Sequence, residues 1–178
     1  MVLPFLTLYL TQRQGFTVQG AGGILSLYGI GAIVGSYLGG WFSDRIGAVR
    51  AQVVSLCLAT GALAALSLAQ SPLGIVVVVL LWSIAAESMR PANGAALAEM
   101  SPPHLHVRAF GLRRLSMNLG MSIGPAVGGF LVTWSYNWLF VIEASMGLLA
   151  AGLLWGLLPS SARHTSSEQT KPALAPEP

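Results

Sequence analysis

Apolar residues fill four long stretches of this chain in which there is no charged side chain. These stretches cover residues 14–43, 51–86, 115–142 and 144–162. Short polar or turn-forming breaks interrupt the apolar pattern at 12–19, 44–50, 70–72, 101–103 and 135–137. A helix needs about 20 mostly apolar residues to span a bilayer. The pattern therefore predicts five full-length helices, at about 21–43, 51–70, 73–98, 110–134 and 138–158.

A shorter apolar segment, residues 1–11, precedes the first of these helices. As a helix it would reach only about 16 Å, roughly half of a hydrocarbon core. A signal peptide does not fit, because the segment has neither a basic start nor a small-residue cleavage site. We predict a partial first helix at 1–11, a transmembrane domain over 1–158, and a disordered tail over 159–178, where the composition turns polar and rich in Ser and Pro.

The composition supports a membrane protein and excludes other classes. Only 8% of the residues are charged, 54% are hydrophobic, and the mean hydropathy is +0.69. A soluble fold of this length would lack the polar surface to cover itself, and the apolar stretches do not alternate as the strands of a membrane barrel do. The net charge of +3 comes from basic residues at helix ends, which gives no reason to expect nucleic acid as a partner. The sequence predicts an all-α, multi-pass transmembrane helical bundle.

The basic residues lie next to alternate breaks in the apolar pattern. One set of breaks is flanked by Arg45, Arg50, Arg108, Arg113, Arg114, Arg163 and Lys171, whereas the other set holds Arg13. Because basic residues accumulate on the cytoplasmic side of a membrane, we expect 44–50, 99–114 and the tail in the cytoplasm. Residues 12–19, 70–72 and 135–137 would then face outward, in a protein of the inner membrane.

Two of the predicted helices share a pattern of glycines. Four glycines of the second helix reappear 89 residues later in the fifth: Gly31, Gly35, Gly39 and Gly40 match Gly120, Gly124, Gly128 and Gly129. The predicted topology makes the two helices run in opposite directions, as in an inverted repeat, although glycine-rich membrane helices also match by chance. If the repeat is real, the first helix begins about 16 residues before Met1, and we expect an apolar coding stretch there.

The segment GWFSDRIGAVR at 40–50 resembles the loop that joins helices 2 and 3 in the major facilitator superfamily. The resemblance implies a gate formed by Gly40, Asp44, Arg45, Gly47 and Arg50. Gly47 would permit unusual backbone angles in a tight turn, and Asp44 would pair with a basic group or cap a helix. Ala48 and Val49 depart from the basic residues usual in the family. An ordinary charged loop is the alternative.

A second motif, ESMRPANG at 87–94, places charges inside the fourth helix. A charge near the bilayer centre costs about 2.5–3.5 kcal/mol on insertion scales, and Glu87 and Arg90 are spaced to pair on one helix face. Arg90, Asn93 and Gly94 resemble the fourth-helix motif of the family, whose arginine is implicated in proton coupling. We expect Glu87 and Arg90 to form a buried pair, and these two residues and Asn93 to lie in a coupling or substrate pathway. The alternative is a structural ion pair.

The third motif, NLGMSIGPAVGG at 118–129, resembles the fifth-helix signature associated with antiporters of the family. The resemblance implies a hinge at the interface between two halves, and Pro125 removes one helical hydrogen bond there. Its residues are Asn118, Gly120, Gly124, Pro125, Gly128 and Gly129. Glu143 in the last helix would either line the pathway or extend toward the membrane surface.

The motifs follow the family order over about 1–160, so the resemblance implies a six-helix major facilitator half with a truncated first helix. It implies a secondary active transporter performing proton-coupled efflux of a small molecule. The expected partners are the lipid bilayer, the substrate, protons, and a second transporter half or a homodimer. The alternatives are a non-transporting fragment of a truncated transporter gene, or a half-transporter that needs a partner half. No enzyme activity, cofactor or metal is expected, and His104 and His106 have no further ligands nearby in the sequence.

Overall fold

The computed structural model describes residues 2–157 and contains helices but no strand within that range. A one-turn π-helix, Tyr9–Arg13, continues the first helix, and a short 3-10 turn, Pro103–Leu105, precedes the fifth. The six α-helices are α1 Val2–Leu8, α2 Val18–Ile46, α3 Ala48–Leu68, α4 Pro72–Met100, α5 His106–Trp134 and α6 Tyr136–Leu157.

Local capping residues determine where two of the long helices begin. The Thr17 hydroxyl accepts a hydrogen bond from the Gly20 amide at the start of α2, and Ser71 does the same for the Gly74 amide at the start of α4. Such caps satisfy amides that have no partner within the first turn. Pro72 follows Ser71 at a position where the missing N–H costs nothing.

The long helices differ from their predicted bounds by a few residues at each end. The largest change is at the break expected over 44–50, because α2 continues through Asp44 and Arg45 and only Gly47 separates it from α3. The helix predicted at 110–134 begins earlier, at His106. The predicted tail, 159–178, lies outside the described residues.

Within residues 2–157, five helices are long and apolar enough to cross a membrane, from α2 to α6. The chain is therefore an all-α, multi-pass membrane protein, as the hydropathy pattern predicts. The first helix is seven residues long before its π-helical turn, too short to be one of the five.

The most extensive packing in the bundle joins α2 to α4, α4 to α3, and α3 to α6. The apolar core lies toward the end of the bundle at which α1 and α3 end and α2 and α4 begin. It contains Leu6, Tyr9, Leu10, Ala21, Ile24, Leu63, Leu66, Ile75, Val79, Trp82, Leu139 and Phe140. In contrast, only Gly124 and Gly128 of α5 are buried. α5 thus lies at the margin of the bundle with most of its surface uncovered.

The helix bounds support the repeat suggested by the glycines. A shift of 89 residues places both ends of α2 within one residue of the ends of α5, and both ends of α3 within one residue of the ends of α6. The packing follows the same relation, since α2 contacts α4 through its glycines and α5 contacts α1 at Gly128.

Candidate functional site

A single glycine makes the turn between α2 and α3. Gly47 has φ +87° and ψ 145°, a conformation open to glycine and strained for residues with a Cβ. Its amide donates to the Ser43 carbonyl at 3.0 Å, and its carbonyl accepts from the Ala51 amide at 3.0 Å. The sequence-based expectation of unusual backbone angles at Gly47 agrees with this geometry.

The charged residues of this loop motif are exposed at the ends of the two helices. Asp44 lies inside the last turn of α2, so the suggestion that it caps a helix is wrong: the residue before α3 is Gly47, which offers no side chain. The Arg45 guanidinium stacks 4.1 Å above the Trp41 ring, a cation–π contact one turn away. Arg50 is exposed in the first turn of α3, and Gly40 has open space beside it.

Three glycines allow α2 to lie directly against α4. A Cβ at Gly31 would overlap the Ser83 side chain, and Cβ atoms at Gly35 and Gly39 would overlap the backbone of Ile84 and Ser88. Small residues at this spacing let helices in lipid approach closely. This contact holds the polar residues of α4 in a fixed position relative to α2.

Glu87 accepts two side-chain hydrogen bonds next to that contact. The Tyr28 hydroxyl of α2 donates to its Oε1 atom at 2.9 Å, and Arg90 Nε donates to its Oε2 atom at 2.9 Å. The Tyr28 ring also packs on Trp82, with the ring centroids 5.4 Å apart. The predicted pairing of Glu87 with Arg90 is present. The expectation that both partners are buried is wrong for Arg90, which is 67% exposed while Glu87 is 14% exposed.

Asn93 joins α4 to α5 through an arginine that the motifs did not single out. Arg113 Nε donates to Asn93 Oδ1 at 2.6 Å. Asn93 lies one turn after Arg90 on α4, so these polar contacts line one side of that helix. Pro91, between them, removes the N–H that would otherwise bond the Glu87 carbonyl.

Glu143 lines a partly open cavity within this half. The cavity lies between α3, α4 and α6 and has a volume of about 340 Å³. Glu143 is also within electrostatic range of the Tyr28 hydroxyl. The structure therefore places the second membrane carboxylate near the Tyr28–Glu87 pair.

The antiporter-like motif of α5 divides between a packed face and an uncovered one. Gly124 and Gly128 are buried, and a Cβ at Gly128 would meet the Phe5 ring of α1 at 2.5 Å. Gly129 is also close to Phe5. In contrast, Asn118, Gly120 and Pro125 are exposed.

The described residues contain no group of three or more His, Cys, Asp and Glu side chains that could hold a metal ion. The ring of His106 contacts the Ser101 carbonyl at 2.8 Å, across the turn between α4 and α5. This contact gives His106 a structural role in the turn.

Comparison with known families adds an independent observation. The family described as the Major Facilitator Superfamily matches residues 1–177, almost the whole chain. The chain belongs to the major facilitator superfamily.

Relatives within the superfamily are similar over most of this chain. The uncharacterized MFS-type transporter YbcL of Bacillus subtilis is 29% identical over 163 residues, which cover 89% of this chain and 42% of YbcL. A gallate transporter of Pseudomonas putida is 30% identical, covering 94% of this chain and 38% of the relative. The quinolone resistance protein NorA of Staphylococcus aureus is 23% identical, covering 94% and 43%. The chain thus spans about two fifths of the length of these curated relatives.

Two polar partners of the superfamily motifs were missed in the sequence. Tyr28 lies three residues before Gly31 and therefore on the helix face that packs on α4. This spacing is a signal that could have identified it. Arg113 was counted only as a basic residue of a cytoplasmic segment, and its bond to Asn93 depends on the packing of α5.

Proposed function

We propose that this chain is one half of a secondary active transporter that exchanges protons for a small molecule. The observation that carries the proposal is Glu87, a carboxylate in a membrane-spanning helix whose two oxygens bond Tyr28 and Arg90. Ionisable residues within membrane helices are costly, and they often mark proton or substrate pathways. Membership of the superfamily supports transport as the activity.

The Glu87 contacts suggest how a proton would act. A proton added to Glu87 removes the negative charge that attracts Arg90, so the ion pair weakens. Arg90 is already 67% exposed in this half, and it would be released toward the uncovered side. The bond from Arg113 to Asn93 lies one turn away and links this region to α5. Protonation of one carboxylate would thereby change contacts between α2, α4 and α5.

The transport pathway in this fold class lies between repeated helical units. Six helices would provide one wall of it, and the uncovered face of α5 is the surface that a second half would cover. That half is supplied by further chain, by a partner protein or by a second copy. Basic residues near Gly47 and in 106–114 support a cytoplasmic location for those segments, in the inner membrane.

The proposal is tested with the purified chain in liposomes at several protein-to-lipid ratios. A pH gradient is imposed, and the accumulation of gallate, a quinolone and an organic cation is measured. The first two compounds are those named for the relatives. We expect gradient-dependent accumulation of at least one compound, and a steeper than linear rise with protein density if a second copy completes the pathway. No accumulation at any ratio would favour the non-transporting fragment.

A further inference from the structure

The two oxygens of the Glu87 carboxylate have different partners. The Tyr28 hydroxyl of α2 donates to Oε1 at 2.9 Å, and Arg90 Nε of α4 donates to Oε2 at 2.9 Å. An ionised carboxylate only accepts hydrogen bonds, so both contacts suit the charged form of Glu87. One oxygen is therefore bonded by a neutral donor and the other by a cationic one.

The two donors differ in how firmly the bundle holds them. The Tyr28 ring packs on Trp82, with the ring centroids 5.4 Å apart. One turn later on α2, Gly31 lies so close to α4 that a Cβ there would overlap the Ser83 side chain. The Arg90 side chain, in contrast, is long and largely exposed. The contact at Oε1 is thus fixed by packing, whereas the contact at Oε2 depends on a side chain that can move away.

This arrangement makes the two oxygens unequal sites for a proton. A proton on Oε2 would face the Arg90 N–H, and an arginine offers donors but no acceptor. A proton on Oε1 would require the Tyr28 hydroxyl to turn its hydrogen away and accept instead. Among the described residues, Glu87 is the acceptor that this hydroxyl bonds, so the turned hydrogen would lose its partner. The Tyr28 hydroxyl therefore disfavours a proton on Oε1.

We infer that Tyr28 is a positioning residue that directs the proton to Oε2 of Glu87, so that protonation and the Arg90 bond exclude each other. The proton comes from water and adds to Oε2, which neutralises Glu87. Arg90 keeps its own proton and its charge, so the pair changes from neutral to positively charged. Without the Tyr28 hydroxyl, the proton would be free to occupy Oε1 while Arg90 stays on Oε2. The inference rests on the proposed function, since it takes Glu87 as the proton carrier.

Ionisable groups of the neighbouring helices also lie around this pair. On α6, Glu143 is within electrostatic range of the Tyr28 hydroxyl. On α5, Arg113 bonds a neutral amide of α4. The ionisable residues of α3, Arg50 and Cys57, are exposed, as are those of α2 other than Tyr28. The carboxyl group of α6 is therefore the one whose titration must be followed separately.

The test follows Glu87 and Arg90 separately by NMR. The full chain in detergent micelles carries ¹³C at the glutamate carboxyl carbons and ¹⁵N at the arginine Nε atoms, and it is titrated with acid. Signals are assigned by their loss in Glu87→Gln, Arg90→Lys and Glu143→Gln. In the original chain the Arg90 signal should change at the same pH as the Glu87 signal, because one proton causes both changes. In Tyr28→Phe the Glu87 signal should still titrate, but the change at Arg90 should fall to less than about half.

A shape-matched pair of side chains separates the donor from the bulk of the ring. In place of Tyr28, 4-aminophenylalanine keeps an N–H donor, and 4-methylphenylalanine fills a similar volume without one. The first should keep the full change at Arg90, and the second should reduce it as Tyr28→Phe does. Tyr37→Phe, at an exposed position of α2, should match the original chain. Glu99, an exposed carboxylate near the end of α4, should titrate without any change at Arg90.

The titration and the transport assay distinguish the two proposals. A full change at Arg90 in Tyr28→Phe and in the 4-methylphenylalanine variant would overturn the role of Tyr28 and leave Glu87 as the proton carrier. The predicted loss at Arg90, found in a chain that transports nothing, would support the role of Tyr28 and count against the transport function. A Glu87 signal that does not titrate in the original chain would overturn both proposals.

Discussion

The hydroxyl of Tyr28 donates a hydrogen bond to Glu87 Oε1 at 2.9 Å, across the contact between α2 and α4. The two residues are 59 positions apart in the chain, and they meet because Gly31, one turn after Tyr28, leaves no Cβ between the helices. The glycines of α2 therefore allow close packing with α4 and also bring the Tyr28 hydroxyl to Glu87, the carboxylate that we propose carries the proton.

Tyr28→Phe should destabilise the protein by about 1.5–3 kcal/mol, the usual contribution of a hydrogen bond to a charged group. The ring contact with Trp82 remains in this variant, so the loss reports the hydroxyl alone. Tyr37→Phe is the matched control, since Tyr37 is on the same helix and 74% exposed. Thermal unfolding in detergent measures the stability of both variants relative to the original chain. Equal midpoints for the two variants would show that the hydrogen bond does not contribute.

Gly35→Ala should destabilise the contact between α2 and α4 by about 1–3 kcal/mol, because the new methyl group would overlap the backbone of Ile84. Gly40→Ala is the control on the same helix. It faces open space and should be neutral or stabilising, as alanine is the better helix former. Thermal unfolding of the two variants should give shifts of opposite sign or very different size. Similar shifts would contradict the described packing.

The predicted orientation is tested with single cysteines in a Cys57→Ala background, which removes the exposed native thiol. Asn137→Cys should react with an impermeant thiol reagent on intact cells, because the start of α6 is expected to face outward. Arg50→Cys should react only after the membrane is opened. The reverse labelling pattern would overturn the topology.

The sequence predicted the helices well and their contacts poorly, for one physical reason. Membrane helices are apolar on the lipid-facing side as well as on the packed side, so hydropathy locates α2 or α6 without showing which face is buried. Glycines and charged residues are the exceptions. The glycines indicated which face of α2 packs closely, and the charges indicated the Glu87–Arg90 pair. The spacing of Tyr28 from Gly31 places Tyr28 on the packed face of α2, but its pairing with Glu87 depends on how α2 and α4 cross, which spacing in one helix does not show.

The same limit explains the exposure of Arg90. The spacing of Glu87 and Arg90 predicted a pair but did not determine which side of α4 the bundle covers. In the structure α2 covers Glu87 through Tyr28, and the Arg90 side chain extends beyond the packed surface. The expectation that Asp44 caps a helix was wrong for a related reason. The sequence did not indicate that α2 would continue as far as Ile46, and Asp44 therefore lies inside the helix.

The most direct test of the proposed mechanism compares two transport modes of Glu87→Gln in liposomes. The compound is the one that the original chain accumulates fastest under a pH gradient. Glutamine keeps the shape of the side chain but cannot exchange a proton. The account predicts that Glu87→Gln still exchanges labelled for unlabelled compound without a gradient, and that it loses accumulation driven by the gradient, while Glu99→Gln keeps both. Gradient-driven accumulation by Glu87→Gln at the original rate would contradict the account.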